Sequence, residues 1–288
     1  MNILVTLDRN YLQPLSVMLC SLLLCHPGEA FDVFVISSDL TREDMAEVDG
    51  LCACFGARLH LVAVDETCFE HAPTLRYYSR AMYYRLLAAQ LLPKHLERIL
   101  YLDPDVLVIG SLRALYDMDM GDMLYAAAMH EGLINLSGPV NQIRLQNFDT
   151  KAYYNSGVLL MNLPAIRESV HGEDIFAYVK ENRNILILPD QDVLNGLYGA
   201  RILALDETLY NYDARKYNEY LIASQGERDM KWVMGNTAIL HFCGKTKPWK
   251  KNCRTRFTSL YRHYMRLTQI YMRGTRQTIL CERGNECG

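Results

Sequence analysis

No stretch of this 288-residue chain approaches the ~20 consecutive apolar residues that a bilayer-spanning helix needs. The most apolar early run, Val17 to Cys25, is too short. The N-terminus also lacks the basic opening of a secretory signal. Met1-Asn2-Ile3-Leu4-Val5-Thr6-Leu7 is apolar from the start, and acidic Asp8 follows at once. A cytoplasmic protein is therefore expected, at most peripheral on the inner face of the plasma membrane. No C-x-x-C pair exists, and Cys52-Ala53-Cys54 is too close-set for the usual zinc spacing. Nine cysteines are an odd number in a chain that is not small, which argues against a disulfide framework. Ordinary thiols, most of them buried, are expected. There is no large charge of either sign. A net charge of −3 argues against a nucleic-acid binder with a basic body. Linkers, low-complexity stretches and internal repeats are absent too. With 50% hydrophobic and 22% charged residues, a disordered or fibrous chain is excluded.

What is present is a strand-and-helix alternation. Residues 2–7 read as a short buried strand, and 14–25 as a helix with Pro14 near its first turn. Phe31 to Ser37 is a second strand. Thr41-Arg42-Glu43-Asp44 opens a helix that runs to about Phe55. Arg58 to Val64 is a third strand, and Ser79 to Leu92 has helical periodicity up to Pro93. Arg98 to Leu102 and Val106 to Ile109 are strand-like. Beyond these, Met123 to Met129, Gly157 to Asn162 and Ala238 to His241 read as strands. Asp174 to Glu181 and Gln191 to Tyr198 read as helices. The pattern predicts an α/β fold with a mostly parallel central sheet flanked by helices.

Four motifs carry candidate chemistry. In Ile99-Leu100-Tyr101-Leu102-Asp103-Pro104-Asp105-Val106, two carboxylates follow an apolar strand directly. Ligands in open α/β sheets bind at the carboxyl ends of strands. Two oxygen ligands there suit Mg²⁺ or Mn²⁺ bridging phosphate oxygens, and Pro104 fixes φ between them. The alternative is a plain turn, capped by Asp103 with Asp105 solvated. In Ala238-Ile239-Leu240-His241-Phe242-Cys243-Gly244-Lys245-Thr246-Lys247, a strand-end histidine can complete an O,O,N metal site. Gly244 permits close backbone approach, and Lys247 offers a cation to a phosphate. A core histidine is the competing reading. Tyr153-Tyr154-Asn155-Ser156-Gly157 and Leu188-Pro189-Asp190-Gln191-Asp192 put amide and acid side chains at element boundaries. Capping alone would account for both, with Asp190 placed as an N-cap.

Together these motifs resemble glycosyltransferase family 8, from Asn2 to about Asn252. The resemblance implies a GT-A type nucleotide-sugar-binding fold and a retaining, metal-dependent hexosyl transfer. The donor would be a UDP-sugar, UDP-galactose or UDP-glucose, with Mn²⁺ (or Mg²⁺) as the metal. The acceptor would be a hydroxyl of a glycan or glycolipid, as in cell-surface polysaccharide or lipopolysaccharide synthesis. It implies Asp103, Asp105 and His241 as metal ligands. Thr6, Asp8 and Asn10 would contact uridine, and Arg85 would orient the donor beside Pro104. Asn155 would contact a sugar hydroxyl, Gly244 and Lys247 the diphosphate. Asp190 and Gln191 would lie beneath the transferred sugar. One position departs: where the family has an aspartate after the strand ending at Met129, this chain has His130, followed by Glu131.

Charge is unevenly distributed. From Gly244 to Gly288, eleven basic residues face two acids, so this end carries +9 and the remainder −12. Phe257 to Met272 mixes aromatic and basic residues compatibly with an amphipathic helix. The readings are an anionic membrane surface or a charged helix packed on the domain. The expected partition is residues 1–252 as the transferase domain and 253–288 as a basic aromatic tail. Two rivals from other classes are a haloacid-dehalogenase-like phosphohydrolase, built on Asp103-Pro104-Asp105, and a non-catalytic sugar-nucleotide-binding module.

Overall fold

The computed structural model describes residues 1–64, 69, 72–73, 81–129 and 152–285. Its centre is a seven-stranded sheet in the order β3-β2-β1-β4-β7-β6-β8. The strands are β1 (Asn2–Thr6), β2 (Asp32–Ser37), β3 (Arg58–Ala63), β4 (Arg98–Leu102), β6 (Tyr125–Met129), β7 (Tyr154–Asn162) and β8 (Ile202–Leu205). β1 lies parallel between β2 and β4, with Leu4 opposite both Phe34 and Tyr101. Among the described strands of this sheet only β7 runs against its neighbours, pairing its Val158 with Leu102 of β4. A small second sheet, β5-β10-β9, joins β5 (Val106–Val108), β10 (Ile239–His241) and β9 (Tyr212–Asp213).

Both faces of the central sheet are covered, which is why its strands read as unbroken apolar runs. Successive side chains alternate between the faces. Ile3, Val5, Leu100 and Leu102 join one core cluster with the helix Leu12–Cys25. Leu4, Ile99 and Tyr101 join the other, against the helices Ala81–Leu86 and Pro189–Tyr198. A third cluster under the small sheet gathers Leu107, Tyr212, Leu240 and Phe242 with Phe257 and Tyr261.

The helix expected to open at Thr41 does so through a capping box, with Thr41 Oγ1 and Asp44 satisfying each other's backbone N–H groups. The helix expected from Ser79 to Leu92 is instead two short helices over its described part, Ala81–Leu86 and Ala88–Leu91. The break falls at Leu87 (φ −104°, ψ 13°), where buried Leu86, Leu87 and Ala88 pack into the core. β7 begins at Tyr154, three residues before the expected start. Asn155 and Ser156 hid it, because polar residues interrupt the apolar pattern there. Among the described residues Cys20, Cys25, Cys52, Cys54, Cys243 and Cys253 are free thiols.

The basic C-terminal segment forms a helix, Thr258–Asn285. It packs on the helices Leu12–Cys25 and Arg42–Ala53. Phe257 and Tyr261 are fully buried, and the Tyr271 ring meets Phe55 at 4.9 Å. No described helix is long and apolar enough to cross a membrane.

Candidate active site

The parallel pair β1 and β4 ends on one edge of the sheet, so Thr6 and Asp103 arrive together. The reversed direction of β7 brings its first residues to the same edge, where Asp103 N donates to Gly157 O at 2.8 Å. The chain then turns through buried Pro104, with Val106 N donating to Asp103 O at 3.2 Å. β10 pairs antiparallel with β5, His241 opposite Val106, which sets the imidazole beside Asp105. The remaining wall is the helix Pro189–Tyr198, whose first turn carries Asp190 and Gln191.

These elements enclose a cleft of about 560 Å³ lined by Arg85, Asp103, Asp105, Asn155, Asp190, Gln191, His241 and Gly244 among others. Thr6, Asp8, Asn10, Pro104 and Lys247 are not part of this lining. Thr6 Oγ1 lies 3.2 Å from Tyr101 Oη. Asp8 caps the turn Arg9–Tyr11 by accepting from Asn10 N at 2.9 Å, and both Asp8 and Asn10 are exposed. Lys247 is buried against Asp105 Oδ2 and also donates to Phe242 O at 2.9 Å. His130 lies outside the described residues.

One potential ligand atom from each of Asp103, Asp105 and His241 falls within 4.8 Å of the other two. His241 Nε2 is 3.3 Å from Asp105 Oδ1 and 3.9 Å from Asp103 Oδ2. Its other nitrogen, Nδ1, is 2.7 Å from Asn211 Oδ1. Asn211 uses its amide N–H on Asn155 Oδ1 at 2.9 Å, so its oxygen accepts and Nδ1 carries the proton. That tautomer leaves Nε2 toward the carboxylates, the orientation a metal-ligating histidine needs. Gly157 makes the approach possible. A Cβ there would lie 2.4 Å from His241 Cε1 and 2.7 Å from Asp103 Oδ2. Two oxygens and one imidazole nitrogen in this arrangement fit a divalent cation of the Mn²⁺ or Mg²⁺ kind.

Burial pushes the Asp103 carboxyl upward, against the pull of Arg85. Asp105 is also buried, yet His241 and Lys247 hold it below the usual carboxylate range. Both carboxylates are thus enclosed, unlike the solvated turn that was the alternative. Arg85 spans the cleft. Its guanidinium pairs with Asp103 at 3.0 Å and Asp190 at 2.9 Å, and lies 4.8 Å over the Tyr101 ring.

Asp190 is not an N-cap. Leu188 holds that position, and Asp190 stands inside the first turn after Pro189. The backbone N–H groups of Ile187 and Leu188, just before the helix, donate to Asp192 Oδ2 at 2.6 and 3.0 Å. Asp190 is thereby free for Arg85 and for Ser156 Oγ at 3.0 Å. Gln191 Oε1 accepts from Asn155 Nδ2 at 3.2 Å and from Ser156 N at 3.4 Å. Its Nε2, like Arg85 Nε, is buried without a partner among the described residues. Unsatisfied buried donors in a cleft are what a polar ligand would complete.

The family model described as Glycosyl transferase family 8 matches residues 2–253. The chain belongs to this family. Among similar proteins, General stress protein A of Bacillus subtilis is 27% identical over 278 residues, covering 93% of this chain and 94% of its own length. A lipopolysaccharide 1,2-glucosyltransferase of Escherichia coli K12 is 28% identical over 263 residues, covering 87% and 73%. A lipopolysaccharide 1,3-galactosyltransferase of Salmonella typhimurium is 24% identical over 252 residues, covering 86% and 72%. Of solved structures, the galactosyltransferase LgtC with donor and acceptor sugar analogs superimposes with a TM-score of 0.76 at 25% identity. It covers 92% of this chain and 95% of that one. The fold is therefore of the GT-A-like kind and the protein a glycosyltransferase. The phosphohydrolase reading finds no support.

Several residues in and behind the cleft carry no functional signature in the sequence. Ser156 and Gly157 follow Asn155 with no local feature that marks a role. Tyr101, whose Oη donates to Asp103 Oδ1 at 2.5 Å, is in sequence terms simply a strand residue. Asn211 gave no local signal; its two partners are 30 and 56 residues away. Arg215, Lys216 and Glu219, which also line the cleft, were not singled out.

Proposed function

We propose that this family 8 member transfers a hexose from UDP-galactose or UDP-glucose to a glycan or glycolipid hydroxyl, with retention of configuration. The observation that carries the reading is the convergence of Asp103, Asp105 and His241 with Asp190 and Gln191 across one cleft, bridged by Arg85. A divalent cation, Mn²⁺ or Mg²⁺, would be held by Asp103, Asp105 and His241. When bound, it supplies Lewis-acid stabilisation of the charge on the departing diphosphate.

The chain's own groups do the rest. Lys247 and backbone donors near Gly244 offset negative charge on the diphosphate. Thr6, Asp8 and Asn10 contact uridine, and Arg85 orients the donor beside Pro104. Asn155 contacts a sugar hydroxyl, and His130 an acceptor or donor hydroxyl. The anomeric carbon becomes oxocarbenium-like as UDP leaves. Gln191 is a poor nucleophile, because its amide oxygen already accepts two hydrogen bonds. Asp190 is held by Arg85 and Ser156. Front-face attack by the acceptor, with Gln191 shielding the opposite face and Asp190 binding the sugar, is the mechanism this favours. A trapped covalent sugar on either residue would overturn it.

The names of the relatives support a sugar-nucleotide donor and a glycan acceptor. The exposed face of the C-terminal helix carries Arg262, Arg266 and Arg273. We take it as the surface that would meet anionic lipid on the cytoplasmic side.

The test is thermal stability with UDP-galactose, UDP-glucose and UDP-N-acetylglucosamine, each with Mn²⁺ and with EDTA. A ligand at 100 times its Kd stabilises the folded state by about 2.7 kcal/mol. A Mn²⁺-dependent rise of several degrees with one hexose donor is expected, and its loss in Asp105→Asn. Stabilisation indifferent to EDTA would remove the metal assignment.

A further inference from the structure

One wall of the cleft is built from groups that the donor and metal roles leave unused. Arg215 and Lys216, with Glu219 beyond them, line it beside Cys243 and Gly244. Arg215 is locked in place. Its Nε and Nη2 form a bidentate pair with Asp213, at 2.9 and 2.6 Å, and its backbone N donates to the same carboxylate at 3.0 Å. Asp213 itself is fully buried. The remaining terminus, Nη1, makes no hydrogen bond among the described residues. It lies against Gly244 (φ +77°), where a Cβ would come within 2.4 Å of it. The Arg215 side chain as a whole is about half exposed. Lys216 has one distant partner, Glu207 Oε1 at 3.7 Å, and keeps donors to spare.

A guanidinium anchored on one edge by a buried carboxylate presents its free edge without losing side-chain entropy on binding. Such an edge recognises the oxygens of a carboxylate or phosphate. We infer that Arg215, with Lys216 beside it, binds an anionic group on the acceptor, so that the preferred acceptor is a sugar bearing a phosphate or carboxylate. Glu219 on the same wall, through its negative charge, restricts where that anion sits. The inference rests on the donor site proposed above and names the acceptor class for it.

The same free edge could instead serve the donor's diphosphate, so the experiment separates the two. The full chain is saturated with Mn²⁺ and UDP. Binding of methyl β-D-galactopyranoside is then compared by calorimetry with that of its 6-phosphate and of methyl β-D-galactopyranosiduronic acid. Binding of UDP itself is measured alongside. At least fivefold tighter binding of one or both charged sugars is expected. Arg215→Gln should erase that preference and shift UDP affinity by less than twofold. Because Arg215→Gln unpairs buried Asp213, the double variant Asp213→Asn/Arg215→Gln is run in parallel and should behave alike. Equal binding of neutral and charged sugars, or binding of none, overturns the proposal. So does a preference that survives in both variants, or a tenfold loss of UDP affinity, which would assign Arg215 to the diphosphate. Failure of the underlying donor reading looks different: the wild-type protein then shows no Mn²⁺-dependent UDP binding at all.

Discussion

Gly157 sits where any side chain would push His241 away from Asp103, so Gly157→Ala tests the metal site without removing a ligand. Loss of a well-set ligand orientation typically costs roughly 10–100-fold in metal affinity. The expected outcome is a Mn²⁺-dependent thermal shift reduced by that factor in apparent affinity, in a protein that stays folded. Asp213 offers a second residue-level test. Burial opposes its ionisation, but the bonds from Arg215 hold its pKa below 3.8. A depressed carboxylate contributes stability that is complete above the unfolded value and is lost as pH falls through the folded one. Denaturant melts should therefore show stability falling below about pH 4, where the unfolded carboxylate takes up its proton first. Asp213→Asn should be less stable at pH 7 by about 1–3 kcal/mol and show a shallower acid slope. At this scale the sequence was legible where a motif is contiguous. Asp103, Asp105 and His241 stand out because each lies at the end of an apolar strand, and the structure brings the three side chains together. Asn211 was not, since its role depends on two partners remote in the chain.

Among the elements, the C-terminal helix illustrates how one pattern served two readings. Phe257, Tyr261, Tyr264 and Thr268 repeat at helical spacing and are buried or half-buried, while Arg262, Arg266 and Arg273 are exposed. The apolar stripe is thus already committed to the protein core, and any lipid contact falls to the basic face. Tyr261→Ala should cost about 3–5 kcal/mol in unfolding free energy, the range for deleting a large buried aromatic. Arg266→Ser should stay within about 0.5 kcal/mol of the parent while weakening binding to anionic vesicles. Equal vesicle binding by parent and Arg266→Ser/Arg273→Ser would leave the basic face a solvated surface. Amphipathic periodicity predicted this helix. It could not say which partner the apolar stripe would meet, because burial against a neighbouring helix and burial against lipid select the same residues.

For the whole molecule, the same contacts set how far the chain can be shortened. Ending it after Asn252 removes Phe257 and Tyr261 from the cluster they share with Tyr212 and Phe242 under the small sheet. The truncated protein should melt well below the full chain, with the deficit seen at pH 7 in buffer without lipid. An unchanged melting temperature would make the last 36 residues a true appendage. The sequence by itself determined the α/β class, the strand-end carboxylates and the family. Those properties reside in local apolar runs and contiguous motifs, which need no partner to be read. Only the tertiary structure decided that β7 runs against its neighbours, and so that Asn155, Ser156 and Gly157 open at the edge that carries Asp103. It alone joined Asn211 to His241, freed Asp190 from capping and fixed Arg215 on a buried carboxylate. Each of those is a juxtaposition across tens of residues, set by strand order and packing rather than by any neighbouring letter in the chain.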